Sequence, residues 1–251
     1  MNCLLVVPHF QHLDHLRVFL PTLVDSLDER ISLLVSDDGS GADTARDLGK
    51  FIDSERNRSG AGRERILPPL VTPANRGKGH AVYAGWRAAG SVDWLAFVDA
   101  DGAVSVGEIN RAWARLTRPE NVSDVLIGSR IAKLGRNVER TFFRHASGRV
   151  FATLASIVSG LTVYDSQCGL KFIRAAAFRK IEPFVKAERF SFDMELLMLA
   201  AASGCRIEEF PIDWHHVPGG KVSVLRDSIP MVLELLRSRR NVAEYRRASA
   251  A

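Results

Sequence analysis

Two aspartates, Asp99 and Asp101, stand one residue apart directly after the hydrophobic run Trp94, Leu95, Ala96, Phe97 and Val98. Residues i and i+2 of an extended segment point the same way, so both carboxylates can face one site. Carboxylates that close raise each other's pKa unless a cation neutralises them. Mg2+ or Mn2+ typically takes one or two carboxylates together with substrate phosphate oxygens. Asp and Gly are also ordinary turn residues, so "DADG" by itself admits either a metal site or a plain turn. A second acidic pair, Asp37 and Asp38 of "VSDDGS", closes another apolar run. One of the two is suited to cap a helix starting near Ala42. The other is suited to accept a hydrogen bond from the imide N–H of a uracil-like base edge. "NRGKGHA" sets two glycines and Lys78 ahead of a helical pattern, where backbone N–H groups and an ammonium suit a phosphate. It lacks the GxxxxGK[ST] of a P-loop, which argues against a Walker-type nucleotidase.

The elements that must position these residues alternate between strand and helix patterns. Strands are expected at 3–7, 31–35, 66–71 and 94–98, and helices at 13–27, 44–54 and 81–89. The two prolines of the third run argue for an edge or truncated strand. Such alternation implies a parallel sheet covered by helices. Ligands of open α/β sheets bind outside the carboxyl ends of the strands, so "DDGS" and "DADG" should converge on one crevice. Beyond Gly102 the sequence predicts a helix at 108–116, a strand at 124–127 and a basic-then-apolar helix at 140–158. Short elements then surround "DSQCGLKF", followed by a helix at 192–202, a strand at 206–212 and an amphipathic helix at 229–237. No linker separates the halves. The expectation is one domain over 1–238, with a nucleotide-sugar half (1–101) and an acceptor half (102–238), followed by a basic, frayed tail at 239–251.

A chain of 251 residues, 46% hydrophobic and 25% charged, has the composition of a soluble globular protein. The formal charge of +5 favours anionic partners without choosing among them. The basic residues are scattered and match no nucleic-acid-binding module. Cys3, Cys168 and Cys205 are widely spaced, show no CxxC pattern, and fit a reducing compartment. No signal-peptide pattern is found, and no stretch reaches the roughly 18 apolar residues that span a bilayer. The location expected is cytoplasmic, with peripheral contact at the inner face of a membrane left open.

The ordered series "VVPHF…SDDGS…NRGKGHA…FVDADGA…IGSR…DSQCGLKF…FSFDMELL…IEEFPIDW…GGKVS" resembles the family-2 glycosyltransferases of GT-A fold. Within them it looks most like the dolichyl- or polyprenyl-phosphate glucosyltransferases and mannosyltransferases, over about residues 4–223. The resemblance implies a Rossmann-like α/β/α sandwich with a mostly parallel central sheet. It implies that Pro8, Asp38 and Lys78 serve the nucleotide sugar and that Asp99 and Asp101 hold Mg2+ or Mn2+ on its diphosphate. Arg130 and Arg144 would reach the acceptor phosphate or the departing diphosphate. Asp165 and Gln167 would line the sugar and acceptor pocket with Lys171 nearby on the acceptor phosphate side, and Lys221 matches the basic residue of the family's late loop. Asp99, Asp101, Arg130 and Asp193 form the implied catalytic set, Asp193 being the acidic residue available should the acceptor be a hydroxyl.

Read from the residues alone, Arg130 and Arg144 are equally surface charges. Asp193 and Glu195 do not share a helix face, so one at most points into a site and Glu195 suits pairing with an arginine. Cys168 and Gly169 suit a tight turn, and His215 with His216 suits packing rather than a metal. Two departures from the family pattern stand out: Gln11 and His12 replace an Asn-Glu pair, and Ala103 follows the second aspartate as in the glucosyl-type relatives. Ala103 tilts the implied donor toward UDP-glucose over GDP-mannose. The implied reaction is an inverting, metal-dependent transfer of a hexose to a polyprenyl phosphate at the membrane surface, with homo-oligomerisation left open. The alternatives are transfer to a hydroxyl or a non-catalytic nucleotide-sugar-binding module.

Overall fold

The computed structural model describes residues 1–130, 161, 163–189, 191–215, 217 and 224–250. The helix expected at 140–158, with Arg144, lies outside the described residues, as do Lys221 and His216. Seven strands form one sheet in the order β3-β2-β1-β4-β6-β5-β7. They are β1 (Cys3–His9), β2 (Ile31–Asp37), β3 (Leu70–Val71), β4 (Trp94–Val98), β5 (Val125–Ser129), β6 (Leu170–Arg174) and β7 (Ile207–Pro211). The central strands read as continuous apolar runs because helices cover both faces of a parallel sheet, and every residue of β4 is buried. All neighbouring pairs are parallel except those made by β6, which runs antiparallel to both β4 and β5. Pro8 is tolerated in β1 because β4 pairs only with Cys3 to Val6, so its missing N–H falls beyond that ladder.

The third strand is shorter than the expected 66–71. Leu70–Val71 pairs with β2, and Ile66 makes an isolated bridge to Leu33. Pro68 and Pro69 between them have no N–H to continue the ladder.

The helices are α1 (Asp14–Ser26), α2 (Ala42–Arg58), α3 (Lys78–Arg87), α4 (Val106–Leu116), α5 (Ala175–Ile181), α6 (Phe192–Ala202) and α7 (Val224–Ala250). Ser105 caps α4 by accepting from the Glu108 N–H. α6 is buried from Phe192 to Ala200, as expected of a helix apolar all round. Its Phe192 joins Tyr83, Trp86, Phe97 and Phe178 in an aromatic cluster with ring centroids 5.0–6.2 Å apart, which locks α3 and α6 against β4. Gly79 lets α3 approach, since a Cβ there would lie 2.4 Å from Phe192 Cβ.

The tail expected to fray is part of α7, which continues to Ala250. Val242 and Tyr245, three residues apart, are buried, and the Tyr245 ring meets Phe184 edge-on at 5.2 Å. Asn241 Nδ2 donates to the buried Glu195 carboxylate at 2.6 Å. The density of arginines hid this stripe, because three anchoring side chains are enough to dock a helix whose other face is solvated. Replacing Tyr245 with alanine is expected to cost about 3 kcal/mol in urea unfolding, and ending the chain after residue 238 more. Unchanged midpoints for both would place the tail outside the core.

Candidate active site

The carboxyl ends of β1, β2, β4 and β5 and the start of the antiparallel β6 share one edge of the sheet. Asp99 follows β4, and its N–H donates to Gly169 O at 3.0 Å. Gly169 is required by close approach, since a Cβ there would lie 2.3 Å from Asp99 Oδ2. Lys78, the first residue of α3, places Nζ 2.5 Å from Asp99 Oδ1. Burial alone would lower the Lys78 pKa, but the charges of Asp99 and Asp193 outweigh it and raise it.

Asp101 turns back to accept from the Ala103 N–H at 3.0 Å. Burial and the charge of Asp99 push its carboxyl above the usual range, against the Ala103 N–H, Lys78 and His15. Among the described residues no group of three or more His, Cys, Asp or Glu side chains is placed to hold a metal. The donor set fits a hard divalent ion whose remaining ligands are phosphate oxygens and water. The raised Asp101 carboxyl marks negative charge that a cation would relieve.

Asp37 and Asp38 do different work from that expected. Neither caps α2, whose N-cap is Gly41 without a side-chain bond. Asp37 is fully buried and bonded to His9 Nδ1 at 2.7 Å and to the Ser40 N–H at 2.9 Å. Burial would raise its carboxyl, but these bonds hold it below the usual range. Asp38 is 2% exposed and accepts from Arg76 N at 3.1 Å, Gly77 N at 2.6 Å and His80 Nδ1 at 3.0 Å. A buried carboxylate needs such partners, and through them Asp38 anchors the loop that carries Lys78. Arg76 in turn pairs with Glu188.

The residues expected on the acceptor side divide into two groups. Arg130 follows β5 and grips Asp165 through both carboxylate oxygens, with Nε to Oδ2 at 2.9 Å and a terminal nitrogen to Oδ1 at 2.7 Å. Burial opposes ionisation of both, yet each raises or lowers the other toward its charged form. Asp165 also donates its N–H to Glu209 at 2.9 Å, and Gln167 is half-buried in the same turn.

Lys171 does not line an open pocket. It is 1% exposed, pairs with Asp193 at 2.6 Å and donates to Cys168 O at 2.8 Å, so it supports the turn from beneath. Asp193 is thus a buried counter-ion, and Glu195 accepts from the N–H groups of Lys186 and Ala187 rather than from an arginine. Cys168 is fully buried, and burial reinforced by the charge of Asp165 pushes its thiol up to about 12, which leaves it inert in the turn. Pro8 lies near the end of β1, and His215 donates its N–H to Ala103 O.

Sequence reasoning missed His9, Ser40, His80 and Glu209. Their bonds span 28 or more positions or depend on a turn, and the only local signal was a polar cluster after each strand.

A carboxyl whose folded pKa exceeds its unfolded value binds its proton more tightly in the folded state, so its ionisation costs stability above that range. Asp101→Asn is therefore expected to raise Tm at pH 7 in metal-free buffer while abolishing any Mn2+-dependent rise in Tm. The gap between the two proteins should close below about pH 4, where aspartate is protonated even in the unfolded chain. A lower Tm for the variant at pH 7 would mean that Asp101 is already compensated.

The sequence profile of glycosyl transferase family 2 matches residues 4–182. The dolichyl-phosphate beta-glucosyltransferase of Saccharomyces cerevisiae is 31% identical over 245 residues, which is 92% of this chain and 72% of that protein. The protein of the same name from Dictyostelium discoideum is 28% identical, over 82% of this chain and 62% of its own. Among solved structures, glucosyl-3-phosphoglycerate synthase of Mycobacterium tuberculosis, in complex with Mn2+, UDP and glucosyl-3-phosphoglycerate, superposes with a TM-score of 0.62. The two are 15% identical, over 95% of this chain and 79% of that one, a likeness that establishes the GT-A fold alone. With the profile covering most of the chain and a relative above 30% identity along nearly all of it, the protein belongs to glycosyl transferase family 2 and is a glycosyltransferase.

Proposed function

We propose that the protein is an inverting, metal-dependent glucosyltransferase that moves glucose from UDP-glucose to a polyprenyl phosphate. The observation that carries the reading is the placement of Asp99 and Asp101 after the carboxyl end of β4, with Asp99 beside Lys78 and against Gly169 of the turn that carries Asp165 to Arg130. The names of the dolichyl-phosphate relatives support the acceptor class. Ala103, whose N–H holds Asp101, supports glucose over mannose.

Asp99 and Asp101 would hold Mg2+ or Mn2+. When bound, such an ion neutralises charge developing on a departing nucleoside diphosphate. Lys78 binds the diphosphate from the α3 side, and Arg130, fixed in orientation by Asp165, adds positive charge at the end of β5. A lipid phosphate is ionised at neutral pH and needs no general base. That suits a site in which Asp193 is paired with Lys171, Glu195 is bonded to backbone N–H groups, and Asp165 is gripped by Arg130. A single displacement from an α-linked donor yields a β-linked product. A lipid acceptor would bring the reaction to a membrane surface, and we infer its cytoplasmic face; no described helix is long and apolar enough to cross a membrane.

Radiolabelled UDP-glucose and GDP-mannose, each offered undecaprenyl phosphate, dolichyl phosphate, glycerol phosphate and free sugars with Mn2+, test this directly. Butanol-extractable label from UDP-glucose alone is expected; label confined to water-soluble products would overturn the acceptor. Gly169→Ala should fold yet lower kcat/KM about 100-fold, because displacing a reacting group by about 1 Å costs that much. Wild-type activity in that variant would remove Asp99 from the reacting centre.

A further inference from the structure

The Lys78 side chain crosses the faces of Phe97 and Phe192, with Nζ 5.0 and 5.7 Å from the ring centroids, before reaching Asp99. It is 19% exposed and Asp99 is 36% exposed, whereas Lys171, the second lysine on the Phe97 ring, is 1% exposed. The two ion pairs therefore differ in kind. Lys171 and Asp193 form a closed floor, while Lys78 and Asp99 stand at the mouth of the crevice. Asp99 already has a cation belonging to the chain, on the carboxylate that the divalent ion must use. The base of the lysine is fixed, since Asp38 holds the N–H groups of Arg76 and Gly77, so what remains free to exchange partners is the lysine's own side chain.

A lysine ammonium and a divalent cation repel each other at contact with one carboxylate. A diphosphate offers the ammonium a second anionic partner beside the first. We infer that Lys78 is a built-in counter-ion for Asp99 that couples cation binding to diphosphate binding, opposing the cation alone and yielding Asp99 once a diphosphate accepts the ammonium. The inference rests on the reading of this crevice as a metal and nucleotide-sugar site. It makes Lys78 a positioning residue as well as a phosphate contact. Linkage then requires that the nucleotide tighten the cation and the cation tighten the nucleotide by the same factor.

The test is Mn2+ binding, followed by electron paramagnetic resonance or calorimetry, with and without UDP, in wild type, Lys78→Met and Lys78→Gln. Thermal melts confirm folding, and the glutamine variant serves should the methionine variant not fold. Wild type is expected to bind Mn2+ about ten-fold or more tightly with UDP present. Both variants should bind Mn2+ alone more tightly than wild type and show a smaller enhancement by UDP. Arg76→Gln removes the same charge from the Glu188 side and should leave the affinity for Mn2+ alone unchanged. Equal affinity for Mn2+ alone in wild type and both Lys78 variants would reduce Lys78 to a phosphate contact and overturn the inference. An equal gain in Arg76→Gln would assign the effect to net charge and overturn it as well. If wild type binds neither Mn2+ nor UDP, the reading of the site itself falls.

Discussion

Strand β4 is buried at every position and leads straight into two partly exposed carboxylates that repel each other. The crevice depends on solving that electrostatic problem. The solution is a set of ion pairs arranged by depth around Phe97. Lys171 and Asp193 form the floor, Lys78 and Asp99 the mouth, and the two ammonium groups sit 5.2 and 5.0 Å from the centroid of the one Phe97 ring. Removing one member of a buried pair leaves an uncompensated charge at a cost of about 3–5 kcal/mol. The Lys171–Asp193 pair, nearly without solvent access, is the one to which that cost applies.

The reversed strand β6 supplies the other half of the geometry. A parallel strand at that position would bring its end to the crevice, whereas β6 brings its beginning, with Leu170 opposite Val98. The turn before it thus enters under Asp99, where only the missing Cβ of Gly169 leaves room. The same turn carries Asp165 to Arg130 at the end of β5. One change of strand direction thus sets Asp99 beside the turn that Arg130 grips.

Much of this was legible before folding. Apolar periodicity located every strand except β6 and most of the helices, and the residues following β2 and β4 announced a crevice. The truncation of β3 followed from Pro68 and Pro69. The helical tail was not legible, because Asn241, Val242 and Tyr245 declare themselves only against Glu195 and Phe184. The protein partners of Asp38, Lys171 and Asp193 were not legible either. A carboxylate bound to backbone N–H groups 38 positions away looks, in sequence, like one free to bind a ligand.

By itself the sequence determined the alternation of elements, the edge of the sheet at which the acidic pairs gather, and the motif order that relates the chain to its family. Each of these depends on spacing within a few residues of the chain. Only the tertiary structure decided which charges are spent on one another and which face the crevice. That partition depends on strand order and burial, and ion pairs form between whichever oppositely charged groups the sheet brings within reach, however far apart they lie in the chain.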